Sequence, residues 1–275
     1  MISEYWMWAT WLTKVFLYLS VAFVVGGFFC YVLLRQYLVI KESLLKYITI
    51  GAGLGLISST LGFFILNGSF ANSGLIGMWD LTYLNILINT PTGQIQIIRS
   101  ISFALLLIIM LVKLSRRKME VSITESTIFI ILLTPILFSF SQLGHVANLP
   151  FFAQILLSVH VLFMSLWMGS LYPLWKISRK ISGLPLNVCG TSIAFLLFKD
   201  INSLINTPYG LGFIIKILFV MSILMLAAFN KWYFTPRLQN PKFAKNLSYA
   251  ILFEMFLGFS ILLTTGYITT VVGIE

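Results

Sequence analysis

Apolar runs of about 20 residues recur from one end of this 275-residue sequence to the other, and nothing else limits the possible fold so severely. A bilayer core about 30 Å thick is crossed by about 20 apolar residues in α-helix. Eight runs qualify, near residues 12–34, 44–66, 94–114, 123–143, 151–175, 185–205, 211–233 and 247–270. The sixth is the shortest in apolar content, because Lys199 and Asp200 interrupt its end, and a half-inserted helix fits it as well as a full span. Charged residues make up 9% of the chain, against roughly 25% in soluble domains, too few to cover a wetted surface. The expected fold is an all-α, polytopic membrane bundle of about eight helices, with no separate soluble domain.

Orientation follows from the basic residues. Arg35, Lys41 and Lys46 follow the first run, and Lys113, Arg116, Arg117 and Lys118 the third. Lys176, Arg179 and Lys180 follow the fifth, and Lys231, Arg237, Lys242 and Lys245 the seventh. These alternate loops hold 14 of the 18 basic residues, which places them in the cytoplasm and both termini outside. The net charge of +10 therefore reflects membrane topology and not nucleic-acid binding. Met1 to Thr13 has no basic residue, so the start of the chain does not read as a cleavable signal; Trp6, Trp8 and Trp11 read as an interfacial aromatic belt. Cys30 and Cys189 both fall inside apolar runs, a spacing that excludes a disulfide framework or a CxxC metal site. Between Asn67 and Asn89, Leu75, Met78, Trp79, Tyr83 and Ile86 recur at helical spacing. They predict a short helix on the outer surface, or a lid over the bundle.

An internal repeat is visible. Leu87-Ile88-Asn89-Thr90-Pro91-Thr92-Gly93 returns as Leu204-Ile205-Asn206-Thr207-Pro208-Tyr209-Gly210, at an offset of 117, and Arg99 matches Lys216 at the same offset. Pro fixes φ, Gly permits a tight turn, and Thr90 and Thr207 offer side-chain oxygens to the turn. Four spans separate the copies, so the halves, 1–143 and 144–275, are expected as parallel four-helix repeats related by an axis along the membrane normal. Arg99 and Lys216 fall about two helical turns below the outer surface, where each can snorkel or pair with a carboxylate.

Few residues can carry chemistry. His145 lies in a short outer loop and His160 within the fifth span, about 13 Å below the outer surface. His160, Met164, Trp167 and Met168 share one helical stripe. Imidazole and thioether suit Cu(I); for the methionines, simple packing against a neighbouring helix is the favoured alternative. Glu254, near the middle of the eighth span, needs a partner, a proton or water; Lys216 or Arg99 could pair with it. No nucleotide-binding loop, hydrolytic triad or paired-carboxylate site can be assembled, so no enzyme is expected.

The second half resembles the copper resistance D (CopD) family of bacterial membrane proteins. The resemblance rests on Gly144-His145, on His160 followed by Trp167-x-Gly169, on Thr207-Pro208-Tyr209-Gly210 with Lys216, and on Ala228, Asn230 and Pro236-x-Leu238. The run from Thr90 to Arg99 looks like the same module. This resemblance implies copper transport at the plasma membrane, usually uptake and sometimes tolerance, with copper as the bound ion. It also implies a separate extracytoplasmic copper-binding partner of the CopC type. The residues read above add to this a path of their own, in which copper passes from His145 to His160 and meets the thioethers of Met164 and Met168, with Arg99, Lys216 and Glu254 as gating or ion-pair groups. Two rivals are a b-type haem protein ligated by His145 and His160, and a non-transporting assembly or sensor subunit.

Overall fold

The computed structural model describes residues 4–34, 38–116, 122–142, 147–148, 150–180, 208–237 and 240–271. These residues form an all-α, multi-pass membrane protein. Among the described residues six helices are long and apolar enough to cross a membrane: Glu4–Leu33, Ile40–Ala71, Pro91–Ser115, Phe151–Ile177, Ile215–Arg237 and Lys242–Thr270. They belong to helices α1 (Glu4–Leu33), α2 (Leu38–Ala71), α4 (Pro91–Ser115), α6 (Phe151–Lys180), α7 (Pro208–Phe229) and α8 (Pro241–Thr270). Two shorter helices, α3 (Leu81–Ile88) and α5 (Ile123–Phe138), complete the set. The fourth expected span is thus an apolar helix of 16 residues, about 24 Å long, with Pro135 inside it. The sixth expected span, 185–205, lies outside the described residues.

Helix ends differ from the apolar runs in instructive ways. Helix α1 starts at Glu4, so the three N-terminal tryptophans lie within it, and Trp6 is fully buried. Helix α2 continues to Ala71 and stops where Asn72 turns left-handed at φ 48°, a conformation that Asn tolerates better than most residues. The single outer helix expected between Asn67 and Asn89 is instead a 3-10 segment, Gly74–Trp79, followed by α3. The break falls at Asp80, whose Oδ1 accepts from the Thr82 and Tyr83 amides at 2.9 and 3.4 Å and so starts a new helix. The buried Asn67 amide ties this segment back to α2, donating to the carbonyls of Gly77, Met78 and Asp80 at 3.0–3.2 Å. Leu75, Trp79 and Ile86 stay exposed.

The chain divides into two compact units, Met1–Gly169 and Ser170–Glu275. In the first, α1 and α2 meet along small residues, with Gly51 against Phe23 and the Ser20 carbonyl, as membrane helices do when dispersion, not water exclusion, holds them. Phe28 of α1 stacks on Phe129 of α5 at 3.8 Å between centroids. Where α4 turns toward α5, Glu125 makes an ion pair with the buried Lys113 and also accepts from the Ser122 amide at the start of α5. The Tyr31 ring lies 5.4 Å from the same ammonium.

In the second unit α7 passes into a π-helical turn, Asn230–Phe234, and a 3-10 turn, Thr235–Arg237, before α8. Thr235 Oγ1 donates to the Asn230 carbonyl at 2.9 Å. Phe229, Tyr233, Phe234 and Phe243 cluster at this turn, with the Arg237 guanidinium 4.2 Å from the Tyr233 ring.

Candidate functional site

His160, Met164, Trp167 and Met168 fall on successive turns of α6, all half-buried. What fixes the stripe is Gly169, next along the helix. A Cβ there would lie 1.7 Å from the Ala22 carbonyl oxygen of α1, so only glycine permits this helix crossing. The Tyr47 hydroxyl of α2 donates to the Gly169 carbonyl at 3.1 Å. Helices α1 and α2 together therefore set the height and rotation of the His160 face. His145 lies outside the described residues.

The first copy of the repeated turn is a compact joint. The Thr90 Oγ1 accepts from the Gly93 amide at 3.1 Å and donates to the Leu87 carbonyl at 2.7 Å. Pro91 occupies the first helical position of α4, where its missing N–H costs nothing. A Cβ on Gly93 would meet the Leu87 carbonyl oxygen at 1.9 Å. Of the second copy, Thr207 lies outside the described residues, while Pro208 and Gly210 open α7, as Pro91 opens α4.

Arg99 is buried in α4, 4% exposed. Its Nε donates to Ser59 Oγ at 3.0 Å and its Nη1 to Ser139 Oγ at 3.4 Å, so α2 and the turn after α5 converge on it. Lys216 is half-buried in α7. Glu254 of α8 is buried, and its Oε1 accepts from the Asn230 amide at 2.7 Å. Neither of the two ion pairs among the described residues includes Arg99, Lys216 or Glu254. Asn230 stands at the first residue of the π-helical turn, a geometry that recurs at functional sites because it turns a side chain out of helical register. Its own Oδ1 is buried without a partner.

Among the described residues, no group of three or more His, Cys, Asp and Glu side chains comes together. Of the partners, Asn230 was marked by the family resemblance but not as the partner of Glu254, and Ser59 had only a faint signal, a Ser58-Ser59-Thr60 run inside an apolar span.

Two family profiles match the chain. One, described as Copper resistance protein D-like, N-terminal domain, covers residues 1–150. The other, described as Copper resistance protein D, covers residues 183–268. No match was found among curated proteins or among solved structures.

Proposed function

The chain belongs to the copper resistance protein D family, whose two profiles take in nearly all of it, and from that premise we propose that it carries copper ions across a bacterial plasma membrane, in the direction of uptake. The observation that carries the reading is the α6 stripe. It sets an imidazole and two thioethers on one half-buried helical face, a donor set that a soft monovalent cation prefers. Copper is the substrate and not a resident cofactor. It is captured outside by His145, moves to His160, and is relayed by Met164 and Met168. A separate extracytoplasmic protein of the CopC type delivers it.

Glu254 carries the coupled proton in this scheme. Its carboxyl is buried and held by an amide instead of a fixed positive charge, so gaining or losing a proton breaks no ion pair. Arg99 and Lys216 are the gating groups of this scheme, and Lys216 sets the electrostatic barrier that a cation meets. The bundle is organised as two parallel four-helix repeats, 1–143 and 144–275, with both termini outside the cell.

The decisive measurement is copper flux into proteoliposomes. His160→Ala should reduce flux to the level of empty vesicles while membrane expression stays normal. Met164→Leu with Met168→Leu should slow it without abolishing it. Unchanged uptake by the histidine variant rules out this path.

A further inference from the structure

We propose that the first unit holds a small monovalent anion, chloride, as the counter-ion of Arg99. The inference does not rest on copper transport. It begins with a charge left uncompensated. A guanidinium has five N–H donors; Arg99 uses two, both on neutral serine hydroxyls, and the other three meet no acceptor among the described residues. The Ser139 hydroxyl gives its own proton to the Ile136 carbonyl at 2.6 Å, so it brings no charge of its own.

Among the described residues of this unit, the carboxylates are already placed. Glu42 pairs with Lys46 and Glu125 with Lys113. Asp80 caps α3, and Glu4 is exposed in the first turn of α1. Burying an uncompensated cation costs several kcal/mol, and within a bilayer such a group marks a functional site.

Gln96 supplies an independent observation. It lies one turn before Arg99 on the same face of α4, 6% exposed, and its Oε1 has no hydrogen-bond partner. Amide oxygen and nitrogen are assigned from their surroundings. With an anion present the group turns over, and its NH₂ donates to the same ion as the spare guanidinium hydrogens. Helix α4 thus presents donors one turn apart, with no negative group of its own to fill the space between them.

The test uses the full chain in detergent, at constant ionic strength, with sodium chloride, bromide or gluconate. The thermal midpoint should rise saturably with chloride and bromide and stay flat in gluconate, as binding to the folded state requires. Arg99→Gln should remove that dependence. If Arg99→Gln does not fold, radioactive chloride binding to the unaltered chain decides: about one ion per chain, displaced by bromide, with weaker binding in Gln96→Leu. Equal midpoints in chloride and gluconate with no bound radiolabel overturn the proposal. So does a chloride effect that persists unchanged in Arg99→Gln, which marks a surface salt effect. Stabilisation by anionic lipid alone, with chloride inert, overturns the chloride assignment.

Discussion

One amide at Asn230 serves two purposes. Its nitrogen satisfies a buried carboxyl, while its oxygen remains without a partner. Removing the amide should therefore hurt more than neutralising the acid. Asn230→Leu strands the Glu254 carboxyl, at a cost of about 1–3 kcal/mol, visible as a lower thermal midpoint in detergent. Glu254→Gln keeps a hydrogen-bonding oxygen for Asn230, so its midpoint should move little while copper flux falls at least tenfold. Wild-type flux in that variant removes Glu254 from the mechanism. Arg99 and Glu254 were both legible in the sequence, because a charge within an apolar run is conspicuous. Their pairings were not, although the family resemblance already marked Asn230 itself. Ser59 and Ser139 each stand 40 residues from Arg99, and Asn230 stands 24 from Glu254. Hydroxyls and amides are common in membrane helices, and only the folded chain shows which of them meets a charge.

At the level of helices, local chemistry was readable and long-range packing was not. The Thr90-Pro91 step predicts a helix start, and α4 begins at Pro91; α7 likewise begins at Pro208. Both starts depend on neighbouring residues alone. The short outer segment broke in two because Asp80 caps, a preference that the apolar stripe concealed. Gly169 had a role that spacing could not disclose, since the backbone it touches comes from α1. Gly169→Ala should force α6 away from α1. Overpacking of this kind costs roughly 1–3 kcal/mol or more. Thermal unfolding and copper flux should both report it, whereas Gly53→Ala, with room for a methyl group in α2, should leave both nearly unchanged.

For the molecule as a whole, the distribution of basic residues makes a statement about sidedness that labelling can check. In a background of Cys30→Ala and Cys189→Ala, Trp79→Cys should react with a membrane-impermeant thiol reagent on intact cells. Lys245→Cys should react only after permeabilisation. Both residues are exposed, so accessibility is decided by the side of the membrane alone, and the opposite pattern inverts the topology. The joint at Gly93 has a consequence at this scale too. With the Leu87 carbonyl resting where a methyl group would have to go, any side chain at position 93 would have to prise α3 from the start of α4. The shorter of the two helices carries exposed Leu81, Ile86 and Ile88, and the longer one carries the buried guanidinium. A glycine is thus what lets so exposed a helix sit directly against the one that holds Arg99.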